Sequence, residues 1–120
     1  MKKLFYILVL AAGFVSACGK SNTSEQGVLQ PDKIYFFYSQ TCPHCHDALE
    51  YINKKYPGLQ LSMINVSNAS GMDLLLRCAK KFKLGHNIGT PLFCMGDEYI
   101  MGWAPEYEKK FDNAVKPFLK

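Results

Sequence analysis

The feature that most constrains the fold is an apolar run that leads directly into a pair of cysteines. Ile34–Tyr38 is a continuous stretch of aromatic and β-branched residues, which is typical of a strand covered on both faces. Cys42 and Cys45 follow, with Pro43 between them. Because proline is favoured at the first position of a helix, Cys45 is predicted to lie in the first turn of one. Such a strand and helix would hold the two sulfur atoms close enough to form a disulfide.

The rest of the chain is predicted to alternate strands and helices. Apolar residues recur at helical spacing after Pro43 until Pro57-Gly58, and again after Pro105, where Pro117 should fray or end the helix. Three further segments are predicted to be strands: Leu59–Val66, Leu92–Met95 and Tyr99–Met101. The predicted order is βαβαββα, an α/β fold with a four-stranded mixed sheet flanked by three helices.

A second helix is predicted between the second and third strands. Ser70 followed by Asp73 resembles a capping box at its start, and Leu84-Gly85 is its expected end. Its apolar stripe is predicted to consist of Met72, Leu75, Leu76 and Ala79. Methionines adapt to irregular gaps, so they are expected to fill the core. This applies to Met63, Met72, Met95 and Met101.

The first 32 residues are predicted to be a targeting and linker region. Two lysines precede Leu4–Val15, an apolar run shorter than the roughly 20 residues of a membrane-spanning helix. A cationic start followed by such a run is typical of a secretory signal. We therefore expect a signal peptide over residues 1–17, a flexible polar tether over residues 18–32 and a folded domain over residues 33–120.

The signal closes with Val15-Ser16-Ala17-Cys18, which resembles the lipobox of bacterial lipoproteins. In that family the cysteine is acylated and becomes the new N-terminus. The resemblance implies a lipid-anchored protein of the bacterial cell envelope that faces the periplasm or the extracellular side. An ordinary signal peptide, or an uncleaved anchor, with an incidental cysteine is the alternative.

The charge balance argues against a nucleic-acid partner. The chain has 14 basic and 10 acidic residues, a net charge of +4, and loss of Lys2 and Lys3 with the leader would leave 12 against 10, or +2. Nucleic-acid-binding surfaces carry stronger, clustered basic charge. A chain of 120 residues supports one core, and we expect a monomer.

The position of Cys42 favours thiol chemistry. At a helix N-terminus, free backbone N–H groups and the helix dipole stabilise an anion, so the pKa of the Cys42 thiol is expected to fall from about 8.5 towards roughly 3.5–7.5. Pro43 costs no hydrogen bond there, and a protonated His44 would add positive charge beside the sulfur. Cys42 would attack a substrate disulfide, and Cys45 would then resolve the mixed disulfide.

The run Phe36–Cys45, together with Gly89-Thr90-Pro91, resembles the thioredoxin superfamily. The Cys-Pro-His-Cys tetrad is similar to that of DsbA-type periplasmic oxidases, whereas the element order is closer to glutaredoxin. The resemblance covers residues 33–120. It implies that Pro91 is cis and faces the active-site disulfide, and that Thr90 offers backbone hydrogen bonds to an extended substrate.

Three positions depart from the family pattern. Phe36 stands where thioredoxin has a buried acid, so the resolving step would rely on water or another carboxylate. The chain has no room for the helical insertion of the larger oxidases. Gly102-Trp103-Ala104-Pro105 replaces the Gly-Gly and acidic pair that binds glutathione in glutaredoxins, which argues against glutathione use. Trp103 is expected in the core.

Two further cysteines, Cys78 and Cys94, remain unassigned. Buried free thiols, a structural disulfide and a second redox pair are all compatible with their positions on a helix and a strand. Export would permit the disulfide. The sequence does not give the distance between them.

Three functions are compatible with these features. The first is a membrane-tethered thiol-disulfide oxidoreductase that acts on cysteine-containing exported proteins or peptides with a membrane redox partner and no cofactor. The second is a binding module, either a non-catalytic interaction domain or a copper or zinc site built from Cys42, Cys45, His44 and His46. No metal is expected, because a structural zinc site usually needs a second ligand pair. The third is a reductant supplier dedicated to one partner. His44 favours the oxidising direction, whereas a membrane reductase would drive the opposite one.

Overall fold

The computed structural model of the protein describes residues 28–119. The predicted signal peptide and Cys18 lie outside these residues, as does most of the predicted tether. The strands and helices are β1 Ile34–Tyr38, α1 Pro43–Lys55, β2 Ser62–Asn65, α2 Ala69–Lys81, β3 Leu92–Met95, β4 Glu98–Met101 and α3 Pro105–Ala114. The predicted fold class and the order βαβαββα are confirmed.

The four strands form one mixed sheet in the order β2-β1-β3-β4. β1 and β2 are parallel, as a helical crossover between them requires. β3 is antiparallel to β1 and to β4, and a tight turn at Gly96, with φ of +62°, joins β3 to β4. β1 and β3 are therefore the central strands.

Alternate side chains of the central strands build two separate cores. Phe36 and Phe93 lie on the face covered by α1 and α3, with ring centroids 4.8 Å apart. Phe37 and Cys94 lie on the opposite face, where α2 packs. Burial on both faces explains why β1 is apolar at every position rather than at every second one.

Some element boundaries differ from the predictions. β2 is limited to Ser62–Asn65, so the predicted strand Leu59–Val66 was too long. β4 begins at Glu98, one residue earlier than predicted. α3 ends at Ala114, and Pro117 lies in a short 3-10 helix that follows it. The proline thus ends the α-helix but allows one tighter turn.

The start of α2 differs from the predicted capping box. Asn68 is the N-cap, and its side-chain oxygen accepts a hydrogen bond from the Gly71 N–H at 2.8 Å. Ser70 lies within the first turn, and Asp73 pairs with Arg77 at 3.1 Å instead of capping the helix. The capping-box prediction was therefore wrong, because an asparagine two positions earlier caps the helix.

The buried face of α2 is also rotated from the predicted stripe. Gly71, Leu75, Cys78 and Ala79 face the core, whereas Met72 and Leu76 are exposed. Gly71 lies against the Asn65 carbonyl, where a Cβ atom would overlap, so the helix approaches the end of β2 through its glycine. Met63 is exposed as well. A core-filling role for Met63 and Met72 is thus wrong, although Met95 is buried.

Within residues 28–119, none of the helices has the length and apolar content needed to cross a bilayer.

Candidate functional site

The two turns that carry the predicted site lie at the same edge of the sheet. β1 ends at Tyr38, and the chain then turns to Cys42. β3 runs antiparallel to β1, with Phe37 paired to Leu92. Pro91 precedes Leu92 and therefore lies beside the end of β1. The topology brings the Cys42 turn and the Thr90–Pro91 turn to one end of the molecule.

Cys42 and Cys45 form a disulfide across the start of α1, with a Cα–Cα distance of 5.2 Å. Cys42 is the N-cap, and its Sγ accepts a hydrogen bond from the Cys45 backbone N–H at 3.1 Å. In the reduced protein the same N–H group would point at the Cys42 sulfur. The two residues are 6% and 3% exposed, so Cys42 is the slightly more accessible of the pair.

Pro43 and His44 lie on the exposed side of the motif. Pro43 occupies the first helical position, as its missing N–H group favours. The His44 Nδ1 atom lies 3.8 Å from a carboxylate oxygen of Asp47, one helical turn further on. Both side chains are about two-thirds exposed, so solvent screens this pair.

The Thr90–Pro91 peptide bond is cis, as the resemblance to the thioredoxin superfamily implied. Pro91 is buried, whereas Thr90 is partly exposed. The Pro91 carbonyl accepts a hydrogen bond from the Gly102 N–H at 2.8 Å, which fastens the turn to the end of β4. Thr90 is thus left partly exposed beside a buried Pro91.

An aromatic groove adjoins the motif on the side of α3. It has a volume of about 440 Å³ and lies between α1 and α3 beside His44. Tyr51 and Trp103 form aromatic walls with ring centroids 5.7 Å apart. The charged residues around the groove are Asp47, Glu50, Lys54 and Glu108. A larger groove of about 810 Å³ lies at the opposite end of the sheet, near the start of β1, and is remote from the disulfide.

Trp103 lies in the core, as predicted, and is 6% exposed. It packs against Phe93 and Phe111, with centroids 5.9 and 6.0 Å away, in the same buried cluster as Cys42 and Cys45. Most of Trp103 therefore belongs to the core, and only a small part of its surface lines the groove.

The position of the thioredoxin acid is apolar in this protein. Phe36 is fully buried, and among residues 28–119 no polar or charged side chain is buried. A proton released or taken up by Cys45 therefore has no buried carboxylate partner within that part of the chain.

Cys78 and Cys94 form a second disulfide, with a Cα–Cα distance of 6.4 Å. They are 0% and 3% exposed, on the face of the sheet that α2 covers. This pairing is one of the three alternatives that the sequence left open. The alternative of free thiols is excluded in this structure.

A carboxylate network that the sequence did not reveal joins α1 to α3. Asp112 accepts hydrogen bonds from the Tyr56 and Tyr51 hydroxyls at 2.6 and 2.8 Å and from Lys55 Nζ at 2.7 Å. Burial alone would raise the pKa of Asp112, but these three donors outweigh it and hold the pKa below 3.8. Burial, followed by the bond to Asp112, raises the pKa of Tyr56 to about 12. The sequence does not indicate that Asp112 contacts residues of α1, because they lie more than 50 positions away along the chain.

Residues 28–119 contain no cluster of three or more His, Cys, Asp and Glu side chains that could hold a metal ion.

The chain has a thioredoxin-like fold with a Cys-x-x-Cys pair, as shown by the mixed sheet order, the helix placement, the cis-proline turn and the disulfide at the start of α1. Comparison with solved structures agrees. A glutaredoxin from Archaeoglobus fulgidus is similar over 82% of this chain and 99% of its own, with a TM-score of 0.53 and 21% sequence identity. A buckwheat glutaredoxin in complex with glutathione is similar over 81% of this chain and 84% of its own, with a TM-score of 0.52 and 17% identity.

These likenesses show the fold. No protein-family model matches the chain, and no curated protein is similar to it at a significant level.

Proposed function

We propose that the protein is a thiol-disulfide oxidoreductase that exchanges disulfides through Cys42 and Cys45. The observation that carries the proposal is a disulfide at a helix N-terminus, with the Cys45 N–H aimed at the Cys42 sulfur, at the same sheet edge as a cis-proline turn. A helix N-terminus stabilises a thiolate, and the thiolate is the reactive form of cysteine.

In the reductive direction, the Cys42 thiolate attacks one sulfur of a substrate disulfide. A Cys42–substrate disulfide forms, and the other substrate sulfur leaves as a thiolate. The Cys45 thiolate then attacks the Cys42 sulfur, which restores the Cys42–Cys45 disulfide and releases the second substrate thiolate. Two electrons pass from the protein to the substrate. The same steps in reverse oxidise a substrate dithiol.

The test is turnover of a fluorescent peptide disulfide by the full-length protein, with dithiothreitol as the electron source. Cys42→Ser is expected to abolish turnover and form no adduct. With dithiothreitol omitted, reduced Cys45→Ser is expected to stop after the first step and accumulate a mixed disulfide that mass spectrometry detects. Asp73→Asn, on the exposed face of α2, serves as the control and is expected to keep full activity. Turnover by Cys42→Ser at the rate of the unmodified protein would refute the proposal.

The substrates that we propose are cysteine-containing exported proteins or peptides rather than glutathione. α3 begins without a side-chain cap, and Glu106 and Glu108 occupy its first turn. These carboxylates would repel the anionic carboxylates of glutathione. The aromatic groove beside His44 instead offers room for a polypeptide segment. A kcat/KM for glutathione disulfide equal to that for a peptide disulfide would contradict this specificity.

We further propose that the protein acts in the bacterial cell envelope, anchored by lipid at Cys18, with a membrane protein that resets its redox state. The signal and lipobox pattern supports export and anchoring. The buried Cys78–Cys94 disulfide supports an oxidising compartment, because such bonds rarely persist in the cytosol. β1 begins at the end of the sheet opposite the Cys42 turn, so a tether before it would join the domain at the end remote from the disulfide.

The test of this location is membrane fractionation together with metabolic labelling by a fatty acid. The native chain is expected in the membrane fraction and labelled, and Cys18→Ala is expected to lose the label. A soluble, unlabelled native chain would refute the anchor without affecting the chemistry proposed for Cys42 and Cys45.

A further inference from the structure

The loop that carries Thr90 and Pro91 is hydrogen-bonded in its first half, at Leu84 and Asn87, but not in the stretch just before the cis-proline turn. It connects the end of α2 at Lys81 to the start of β3 at Leu92. Among the described residues, no backbone hydrogen bond joins Ile88, Gly89 or Thr90 to another part of the fold. The loop is held by apolar side chains that pack under it, namely Phe82, Leu84 and Ile88. A backbone hydrogen bond fastens the turn at Pro91, through the Gly102 N–H, but the three residues before it depend on side-chain packing.

The second disulfide spans this loop. Cys78 lies in the last part of α2 and Cys94 in the middle of β3, and their bond encloses residues 79–93 in a covalent ring. The ring includes the complete connection and both residues of the cis-proline turn. Its closing bond is buried, so the ring is anchored in the core rather than at the surface.

The ring-closing disulfide is separated from the reactive one by the sheet. Phe93 faces the core that contains Cys42 and Cys45, and Cys94, the next residue, faces α2. A thiolate at Cys42 has no path to the Cys94 sulfur that avoids the sheet. Substrate thiols are equally excluded, because attack on a disulfide requires access to one of its sulfur atoms. This placement disfavours the sequence-based alternative of a second redox pair.

We propose that Cys78–Cys94 is a permanent cross-link that positions the Thr90–Pro91 turn for binding of a polypeptide substrate. The proposal rests on the proposed disulfide-exchange function. A covalent ring limits the conformations of the loop before binding, so a substrate that aligns along Thr90 loses less free energy in ordering it. Small dithiols react only with the Cys42 and Cys45 sulfur atoms and do not contact the turn. The ring should therefore not change their rate of reaction.

The first test compares the full-length protein with a Cys78→Ala/Cys94→Ala double variant, which removes both thiols together. The double variant is expected to raise KM for a peptide disulfide by about three- to tenfold. Its kcat, and the rate at which one equivalent of dithiothreitol reduces Cys42–Cys45, are expected to stay unchanged. An unchanged KM, or an equal loss in both reactions, would overturn the proposal.

Hydrogen exchange gives a readout that needs no activity. Amide exchange at Leu84, Asn87 and Gly102, whose N–H groups are hydrogen-bonded within or onto the loop, is expected to accelerate in the double variant, while α1 keeps its protection. Unchanged exchange at these three amides would overturn the proposal whatever the kinetics show. If the native protein has no disulfide-exchange activity, the proposed function is refuted. Hydrogen exchange at the loop amides would still test whether the ring orders the loop.

Alkylation of the native protein during turnover covers the case in which the double variant fails to fold. Cys42 and Cys45 are expected to be labelled, and Cys78 and Cys94 to stay unlabelled through many cycles. Labelling of either ring cysteine at the rate of turnover would show a bond that opens, and would overturn its role as a permanent cross-link.

Discussion

Replacement of Asp112 by asparagine tests how the fold holds α1 against α3. The carboxylate of Asp112 is the shared acceptor for two tyrosine hydroxyls and one lysine, all of which lie in or next to the last turn of α1. Asp112→Asn keeps the size of the side chain but removes its charge and one acceptor oxygen. The variant therefore changes the network without creating a cavity.

The expected loss follows from the two tyrosine bonds. A hydrogen bond to a charged group contributes about 1.5–3 kcal/mol and a neutral one about 0.5–1.5 kcal/mol. The Asp112 side chain is 24% exposed, so the lower part of the charged range applies. Two such bonds contribute about 3 kcal/mol, and asparagine retains one neutral bond of about 1 kcal/mol. We expect the free energy of unfolding at pH 7 to fall by about 2 kcal/mol.

The sign of the pH dependence follows from the shifted pKa values of Asp112 and Tyr56. The pKa of Asp112 is lower in the folded protein than in the unfolded chain, so its stabilisation is present above pH 3.8 and is lost as the pH falls through the folded value. The pKa of Tyr56 is raised, so its contribution is present below pH 10.0 and is lost as the pH rises through about 12. The difference between the native chain and Asp112→Asn should be constant between these limits and shrink outside them.

Urea unfolding at pH 7 and at pH 3 measures this difference, with both disulfides left oxidised. Asp73→Asn is the matched control, because Asp73 pairs with Arg77 on the exposed face of α2 and should change stability by no more than about 0.5 kcal/mol. A double-mutant cycle with Tyr56→Phe isolates the shorter bond. If Asp112→Asn matches the native curve at pH 7, or is equally destabilised at pH 3, the network does not act through its charge.

Three further predictions concern the site and its core. Trp103 is the only tryptophan and lies in the cluster that contains Cys42 and Cys45. A disulfide quenches a nearby indole, so reduction of Cys42–Cys45 should raise the fluorescence of Trp103. The double variant Cys42→Ser/Cys45→Ser should show no such rise. Phe93→Ala should lower the free energy of unfolding by about 3–5 kcal/mol in a urea titration, because Phe93 is fully buried between Phe36 and Phe111. His44→Ala should lower the reduction potential of the Cys42–Cys45 pair, measured in equilibrium with a glutathione buffer, since it removes an imidazole that can carry positive charge beside the thiolate. An unchanged reduction potential would show that His44 does not tune the site.

The elements next to the site could be predicted because their sequence signals are local. β1 is apolar throughout, Pro43 marks the start of α1, and Pro91 precedes an apolar strand. The structure places the reactive cysteines and the cis-proline turn at one edge, since β1 and β3 are paired in antiparallel register. A resemblance to a known fold supplied this juxtaposition, because spacing along the chain does not contain it.

The error in the predicted buried face of α2 has one physical origin. Large apolar side chains favoured a stripe through Met72 and Leu76. The helix instead packs through Gly71, because its backbone comes so close to the end of β2 that no Cβ atom fits there. The same rotation directs Cys78 towards β3, where it meets Cys94. The orientation of α2 is therefore set by Gly71, which allows the close approach to β2, and by the Cys78–Cys94 bond, rather than by the volume of its apolar side chains.

The register of β3 also helps to determine which disulfides form among the four cysteines of the domain, namely Cys42–Cys45 and Cys78–Cys94. Four cysteines allow three connectivities, and two of these would join Cys42 or Cys45 to Cys94. A slip of β3 by one residue would direct Cys94 to the α1 face and Phe93 to the α2 face, exchanging every contact of the strand. Both faces of β3 are buried, so this slip would place a large ring where a cysteine now fits and leave a void on the other side. Core packing therefore selects the native disulfides, and oxidation of the folded chain should give one isomer.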